Sequence, residues 1–531
     1  MSHATSIPHL RQQGTATQLV VDDRPFLVIG GELHNSSSSS LDYMRPIWER
    51  LVGFHLNTAL AAVFWELIEP VEGSFDFALV DGLITKAREH GLRLVLLWFG
   101  SWKNGVSSYI PEWVKRDYKR FPRVRREDGK AIEVLSTLSP ASRDADAKAF
   151  AALMRHLREV DGDDHTVIMI QVENEVGVLG DSRDRCAAAN EAFTGAAPQE
   201  LFEHLRQHRN ELHPPLLHRW QSTGMRTAGS WEEVFGRGHE TDELFMAWNY
   251  ARYIDVIAAA GKAEYALPMY VNAWLNGADQ VPGNWPSGGP LPHVLDIWRA
   301  GAPTIDLLAP DIYQTNYEQW CRDYTRRGNP LFVPEMRRDE EGIRNVFMAV
   351  GAYDAIGVSP FAIDSLDPVA GGVLTRTYGV LEQLAPTLLE HQGKGEITGF
   401  VLDADHPTVT RTLGEYELQI SLDKVFAYKA ERGCGLIIAT GADAFVGAGF
   451  GFCVAFRPRT PGPAQAGIAT VDEGSYRDGV WTPLRRLNGD ETWGGDYWRF
   501  PADTQSAAPL NGAYLVNAGT AISRCTVYRY E

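Results

Sequence analysis

Between residues 26 and 393, short runs of aliphatic and β-branched residues alternate with longer stretches whose apolar positions recur every three to four residues. The short runs predict buried parallel strands, and the periodic stretches predict helices with one apolar face. The predicted strands are Phe26–His34, Asn57–Trp65, Leu92–Gly100, Thr166–Glu175, Met269–Leu275, Ile305–Gln314, Leu331–Glu335 and Pro360–Leu366. Eight strand–helix units in succession predict an α/β fold, a (β/α)8 TIM barrel.

The pattern changes after a helix-like stretch at residues 377–393. From residue 394 to 531, short alternating runs are separated by Gly, Pro, Asn and Asp, which predicts an antiparallel β-rich, sandwich-like domain. We therefore expect a catalytic barrel over residues 1–393 and an accessory domain over residues 394–531. The default role for the second domain is to brace the barrel, because packing there would cover apolar surface.

Charge and cysteine content narrow the possible partners. The chain has 50 Lys and Arg against 68 Asp and Glu, a net charge of −18, which argues against nucleic acid or an anionic membrane as the main partner. The five cysteines are scattered without a CxxC spacing, so neither a disulfide framework nor a zinc site is indicated. No signal peptide is evident, so the chain is expected to be cytoplasmic, or periplasmic or secreted if a leader was removed. A homo-oligomer is left open.

Two glutamates follow buried strands and form the strongest chemical signal. The run IMIQVENEVG ends one strand in Glu173, Asn174 and Glu175, and NPLFVPE ends another in Glu335. The carboxyl ends of barrel strands meet at one mouth, where active sites are built. Retaining glycoside hydrolysis needs such a pair, one to protonate the leaving oxygen and one to attack the anomeric carbon from about 5–5.5 Å away. Strand alternation places Glu173 and Glu175 on one side and Asn174 on the other, unless a kink intervenes.

A tyrosine supports this pairing. Tyr313 ends the strand between the two glutamates, and its hydroxyl beside Glu335 would keep that carboxylate ionised and oriented. Poorer solvation of Glu175 would raise its pKa towards the working pH. Because the mechanism uses only carboxyl groups, we predict no cofactor and no metal.

Several motifs resemble glycoside hydrolase family 35, the β-galactosidases. They are QVENE at residues 171–175, GGELH at 30–34, and Trp65 followed by Glu69-Pro70 and Phe75-Asp76-Phe77. The resemblance covers residues 20–390, and the C-terminal part resembles a β-rich domain of uncharacterised function carried by a bacterial subgroup. It implies that Glu175 is the acid/base, that Asn174 contacts the sugar 2-hydroxyl, and that Glu335 is the nucleophile of a retaining enzyme acting on carbohydrate.

The sequence departs from the family pattern after two strands. LLWFGSWKNG stands where a Pro-Gly-Pro-Tyr segment is usual, so we expect Trp98, Trp102, Lys103 and Asn104 to hold the sugar instead. Trp65-Glu66 stands where Trp-Asn is common, and we expect Trp65 to contact the substrate. Glu66 would accept hydrogen bonds from sugar hydroxyls, or would pair structurally with a nearby arginine.

Other residues have a binding interpretation and a packing interpretation side by side. They are His34 ending the first strand, Asn272 and Trp274 on the fifth, Trp285 in the following Gly/Pro-rich loop, and Asp364 on the eighth. For His34 and Trp274 the alternative is core packing, and for Asp364 it is a buried, paired acid. Trp285 is expected to be exposed and to contact ligand or a neighbouring domain.

Together these patterns predict a retaining exo-β-galactosidase acting on galactose-capped oligosaccharides, with a plant cell-wall origin favoured over free lactose. A β-glucosidase, β-mannosidase or arabinosidase on the same carboxylate pair is the first alternative. The second is a barrel that binds carbohydrate but has lost activity.

Overall fold

The computed structural model describes residues 6–368, 372–423, 430–477, 479–502 and 520–531. Its strands are β1 (His9–Gln13), β2 (Ala16–Val21), β3 (Arg24–Phe26), β4 (Val28–Glu32), β5 (Thr58–Phe64), β6 (Arg93–Lys103), β7 (Arg123–Arg125), β8 (Ala131–Leu135), β9 (Val167–Asn174), β10 (Met269–Trp274), β11 (Leu307–Ile312), β12 (Phe332–Met336), β13 (Gly357–Pro360), β14 (Ile397–Leu402), β15 (Thr408–Leu413), β16 (Tyr416–Leu422), β17 (Gly433–Gly441), β18 (Ala444–Phe450), β19 (Phe452–Pro458), β20 (Gln465–Arg477), β21 (Val480–Leu487), β22 (Trp498–Phe500) and β23 (Ala521–Tyr530).

Its α-helices are α1 (Leu41–Met44), α2 (Trp48–Gly53), α3 (Trp65–Ile68), α4 (Ala78–Glu89), α5 (Glu112–Arg116), α6 (Pro140–Asp161), α7 (Ala187–Thr194), α8 (Gln199–Gln207), α9 (Pro214–Ser222), α10 (Trp231–Phe235), α11 (His239–Glu264), α12 (Leu295–Gly301), α13 (Tyr317–Tyr324), α14 (Glu340–Ala352) and α15 (Gly372–His391). Short 3₁₀ turns lie at Ser37–Ser39, Pro292–Val294, Arg326–Gly328, Ile363–Ser365 and Gly489–Thr492.

The predicted barrel is confirmed. Strands β4, β5, β6, β9, β10, β11, β12 and β13 close on one another through parallel pairings. The eighth strand was placed wrongly: it is β13, ending at Pro360, and the residues predicted to form it hold a 3₁₀ turn. Pro360 cannot donate a ladder hydrogen bond, and Ala362 has a left-handed φ of 57°, so an extended strand cannot continue here.

Apolar side chains fill the barrel interior towards the amino-terminal ends of its strands. Inward-facing Leu97, Phe99, Tyr270 and Phe332 form one buried cluster, which Leu19 of β2 joins from the N-terminal three-stranded sheet. That sheet closes the amino-terminal end. Outward-facing residues of the same strands pack instead against the surrounding helices. The carboxyl end of the barrel is therefore the open one.

The C-terminal region is the predicted antiparallel β-rich domain. One sheet has the order β14-β17-β18-β23-β20-β21 and the other β15-β16-β19-β22, with a separate apolar cluster between them. β17 and β18 also contribute side chains to the hydrophobic cluster around the barrel helices. A Cβ on Gly399 of β14 would lie 2.1 Å from the carbonyl oxygen of Phe347, so a glycine there lets the sheet approach α14 closely.

Two further properties concern the described residues. All five cysteines are buried and unbridged. No helix in the described ranges combines the length and the apolarity needed to span a bilayer.

Candidate active site

Three carboxyl groups meet at the open end of the barrel. Glu175 follows β9, Asp311 lies on β11 and Glu335 on β12, and one carboxylate oxygen of each lies within 4.8 Å of the other two. Asp311 and Glu335 are register partners on adjacent strands, which brings them side by side. All three are buried. Glu175 and Glu335 are the predicted pair, whereas Asp311 was missed.

A backbone kink separates the two glutamates of the QVENE motif. Glu173 and Glu175 have left-handed φ angles of 62° and 43°, so simple strand alternation, which placed them on one side, is wrong here. The Glu173 carboxylate accepts hydrogen bonds from the backbone N–H groups of Ser101 and Trp102, beside Asp146 of α6. Glu173 thus lies between the barrel wall and the helices, and Glu175 alone of the two joins the cluster.

Asn272 of β10 positions two of the three acids. Its Oδ1 accepts a 2.9 Å hydrogen bond from the N–H of Glu175, and its Nδ2 donates a 2.6 Å hydrogen bond to Oδ2 of Asp311. With both ends of the amide engaged, Asn272 acts through Glu175 and Asp311, which differs from the expected direct contact with sugar.

Tyr313 lies where the sequence predicted. Its hydroxyl donates a 2.5 Å hydrogen bond to Oε1 of Glu335, while Oε2 of Glu335 is buried without a partner in the described structure. Burial and the charge of Glu335 raise the pKa of Tyr313 far above its usual value, so the hydroxyl stays protonated and remains a donor. Glu335 is therefore oriented, with one oxygen left available.

Burial raises the pKa of Glu175 from 4.5 to about 7, and the charge of Glu335 adds to the rise. Lys103 and a hydrogen bond with Asp311 act in the opposite direction. The pKa of Asp311 is also raised, by burial and by the carboxylates of Glu335, Glu175 and Glu32. Glu175 is thus poised to hold or release a proton near neutral pH.

Lys103 places a cation among these acids. A register shift in β6 between Trp98 and Lys103 lets the strand continue beyond its predicted end at Gly100, and pairs Lys103 with Asn174 of β9. Burial lowers the pKa of Lys103, but the carboxylates of Glu175, Glu335, Glu32 and Asp311 outweigh it, so the pKa is raised and the ammonium stays charged.

Glu32, at the end of β4, was missed as a site residue. It is completely buried, and neither carboxylate oxygen has a hydrogen-bond partner in the described structure. Burial raises its pKa well above the usual value, and repulsion from Glu335 contributes. The signal was present in the sequence, because Glu32 and Asp311 both end apolar strand segments, as Glu335 does.

Two asparagines offer free amide groups beside the cluster. Asn174 is fully buried, with neither Oδ1 nor Nδ2 hydrogen-bonded in the described structure. Asn104 donates its backbone N–H to the carbonyl of Asn174, and its own Oδ1 is unpartnered. These unpartnered amide atoms leave both residues able to bond a ligand, and their contact with substrate stays a prediction.

Four predicted tryptophans do not line the mouth. Each is buried and donates its indole N–H within the fold: Trp65 to Glu69, Trp98 to Asp146, Trp102 to the carbonyl of Leu135 and Trp285 to Glu243. On β6, alternation sends Trp98 outwards and Phe99 inwards, so the inward aromatic residue is Phe99. The prediction that these tryptophans bind sugar is wrong, and Trp285 is not exposed.

Of the remaining candidate residues, two are paired within the fold and two are exposed. Glu66 forms an ion pair with Lys115 at 3.3 Å, which is the structural interpretation with a lysine in place of an arginine. Asp364 is a buried, paired acid that accepts hydrogen bonds from the His34 backbone and the Ser37 hydroxyl, and it lies on a 3₁₀ turn. His34 is exposed and borders, with Tyr313, a cavity of about 380 Å³. Trp274 is 39% exposed at the end of β10.

The same three oxygens form a set that can hold a divalent cation, since carboxylate oxygens are its preferred ligands. The buried ammonium of Lys103 already supplies positive charge to these acids. The absence of a metal requirement stays a prediction.

Comparisons with known proteins point in one direction. Residues 44–234 match the model of glycoside hydrolase family 42, described as Beta-galactosidase. A relative from Xanthomonas manihotis is 31% identical over 183 residues, which are 33% of this chain and 28% of the relative. Both carry the name β-galactosidase. Family 42 is thus indicated, and the resemblance to family 35 is not confirmed. Residues 374–497 match a domain of unknown function, DUF5597.

Solved structures that match this chain do so at low identity. The cold-adapted β-galactosidase of Rahnella sp. R3 is 18% identical with a TM-score of 0.47, and that of Bacillus circulans sp. alkalophilus is 15% identical with a TM-score of 0.48. In each case the match covers 68% of this chain and 57% of the other. The chain therefore spans little more than half of these proteins, and the likeness adds nothing to the fold described above.

Proposed function

We propose that this protein is a retaining, exo-acting β-galactosidase that removes terminal β-D-galactosyl residues from oligosaccharides. The observation that carries the proposal is the spacing of Glu175 and Glu335, whose nearest carboxylate oxygens lie within 4.8 Å. Retaining enzymes have carboxyl groups about 5–5.5 Å apart, whereas inverting enzymes need about 6.5–9.5 Å to admit a water molecule.

In the first step, Glu335 attacks the anomeric carbon while Glu175 donates its proton to the leaving glycosidic oxygen. Tyr313 fixes one oxygen of Glu335 by hydrogen bond, so the other oxygen faces the sugar. Burial keeps Glu175 protonated at mildly acidic pH, which the departing oxygen requires. The product is a covalent glycosyl–enzyme, and the aglycone leaves as an alcohol.

In the second step, Glu175, now ionised, takes a proton from water. The water oxygen attacks the anomeric carbon, the bond to Glu335 breaks, and the sugar leaves with its original configuration. Asn272 keeps Glu175 in place for both steps through the backbone hydrogen bond.

Support for galactose comes from the family match and the Xanthomonas relative, both named for that activity. A β-glucosidase, β-mannosidase or arabinosidase would use the same acids. A barrel that only binds carbohydrate is the remaining alternative.

The test is nitrophenol release from β-galactoside, β-glucoside, β-mannoside and α-arabinoside by wild type and Glu335→Gln. We expect preferential turnover of the β-galactoside and its collapse in the variant. Glu243→Gln is the matched control, because Glu243 is also buried but bonds Trp285 and His293 away from the cluster. Preferred turnover of another glycoside would change the sugar. Sugar binding by folded wild type without turnover of any glycoside, natural oligosaccharides included, would refute the proposal.

A further inference from the structure

Glu32 is an unusual group to find at the end of a barrel strand without a partner. It is fully buried, yet both carboxylate oxygens lack a hydrogen bond in the described structure. Leaving a buried acceptor unsatisfied destabilises a fold, more so when it is charged. A group retained under these conditions is explained most simply by a ligand that supplies the missing donors.

Lys103 lies in the same space. Its ammonium is 5.5 Å from the centre of the Phe99 ring, which forms part of the barrel interior. The ammonium and the Glu32 carboxylate interact electrostatically with each other and with Glu175 and Glu335. Donor and acceptor groups therefore face one region beside the catalytic pair.

Other unpartnered polar atoms surround that region. The hydroxyl of Tyr270 on β10 and the amide of Asn174 are buried without hydrogen bonds in the described structure, and Tyr270 interacts electrostatically with Glu32 and Asp311. A sugar ring held with its anomeric carbon between Glu175 and Glu335 would bring several hydroxyl groups to these atoms. Each hydroxyl can both donate and accept.

We propose that Glu32 and Lys103 bind the hydroxyl groups of the terminal sugar, away from its anomeric carbon, and make the pocket selective for neutral glycosides over uronic acid glycosides. The inference rests on the proposed function and extends it to substrate class. Glu32 accepts hydrogen bonds from one or two sugar hydroxyls, and Lys103 donates to sugar oxygens.

Selectivity follows from charge. Four buried carboxyl groups, Glu32, Glu175, Asp311 and Glu335, interact with the one buried ammonium of Lys103. A sugar carboxylate would place a negative charge among these acids, where Lys103 is the one cation named, and it would lose its own hydration. A neutral hydroxymethyl group carries no such cost, so galactosides are accepted and galacturonides rejected.

The experiment compares wild type, Glu32→Gln and Lys103→Met on nitrophenyl β-galactoside, its 2-, 3-, 4- and 6-deoxy derivatives, and the β-galacturonide. A lost hydrogen bond to a charged group should lower kcat/KM by about 10- to 100-fold. We expect this loss in Glu32→Gln with the parent galactoside. One deoxy derivative should lack the hydroxyl bound by Glu32. That derivative should lower kcat/KM strongly in wild type but by less than about threefold in Glu32→Gln.

Three results would overturn the inference. Glu32→Gln could retain wild-type kcat/KM, it could keep the same penalty as wild type for every deoxy position, or wild type could cleave the galacturonide as fast as the galactoside. Glu243→Gln is the matched control and should keep the wild-type deoxy pattern. If Glu32→Gln does not fold, the same measurements are made on Lys103→Met. Wild-type kcat/KM on the parent galactoside, or an unchanged penalty at every deoxy position, would then overturn the inference.

Failure of the proposed hydrolase function can be distinguished from failure of this inference. If wild type hydrolyses no glycoside, calorimetry with D-galactose and D-galacturonate replaces the kinetics. Wild type binding galactose but not galacturonate, with galactose binding lost in Glu32→Gln, would keep the recognition site without hydrolysis. Equal galactose binding by both proteins, or none by wild type, would overturn it.

Discussion

Replacing Glu175 by Gln should affect substrates with good and poor leaving groups differently, because Glu175 is the proposed acid of the first step and the proposed base of the second. The variant cannot donate a proton, so an aglycone that leaves poorly, such as a second sugar, should react about 10²–10⁴-fold more slowly. A dinitrophenyl aglycone leaves without protonation, so its release in the first step should be nearly unaffected. The second step then becomes slow, because water is no longer deprotonated.

The size of the effect in wild type follows from the pKa of Glu175. With a pKa of about 7, about 90% of the enzyme carries the needed proton at pH 6, against about 3% for the ordinary value of 4.5. Burial therefore increases the competent fraction about 30-fold at that pH. kcat/KM for a poor leaving group should fall tenfold per pH unit above about 7.

The assay is stopped-flow release of dinitrophenol with and without azide, together with a pH profile of wild type. Glu175→Gln should show a burst followed by slow turnover, and azide should restore turnover and give a β-glycosyl azide, because this anion needs no base. An α-azide, equal losses for good and poor leaving groups, or a wild-type profile without a limb near pH 7 would refute the assignment of Glu175.

Further predictions concern the neighbours of Glu175 and the second domain. Tyr313→Phe removes a 2.5 Å hydrogen bond to a carboxylate and should lower kcat/KM by about 10- to 100-fold, and an effect below threefold would contradict its role. Glu175→Gln should be more stable than wild type by about 1–3 kcal/mol at pH 8 but not at pH 4, measured by urea unfolding, because the native protein binds the extra proton between pH 4.5 and about 7 and loses stability as pH rises. EDTA dialysis should leave turnover unchanged, whereas loss restored by a divalent cation would place a metal on the three acids. A chain ending at residue 393 should be less soluble, because β17 and β18 share the barrel's apolar cluster, and full solubility and activity would contradict the brace.

The barrel was predictable because each strand is a short apolar run, and burial on both faces leaves little room for another pattern. Glu175, Glu335 and Tyr313 were found by the same logic, since each polar residue ends such a run. The eighth strand was misplaced because β13 has only four residues, and Pro360 looked like its start when it is its end.

The tryptophans show what the sequence could not supply. The face of β6 to which each side chain points depends on the strand register. A shift of one residue exchanges Trp98 for Phe99 on the inward side. The irregularity between Trp98 and Lys103 then turns Trp102 outwards and Lys103 towards the acids. An insertion of this kind is decided by pairing with β9, a contact between residues about 70 positions apart, and no local pattern records it.

The apolar interior of the barrel and the acids at its open end connect the stability of the fold with the proposed chemistry. Below the acids, Leu97, Phe99 and Phe332 fill the interior and exclude water, so the carboxyl groups above them are poorly solvated. That desolvation raises the pKa of Glu175 into its useful range and equally leaves Glu32 without donors. Both effects destabilise the free protein. In the proposed complex both are relieved, because the sugar hydroxyls supply donors to Glu32 and the glycosidic oxygen accepts the proton of Glu175. Glu175 and Glu32 thus lower the stability of the fold and are also the residues proposed to meet substrate, as expected where function opposes stability.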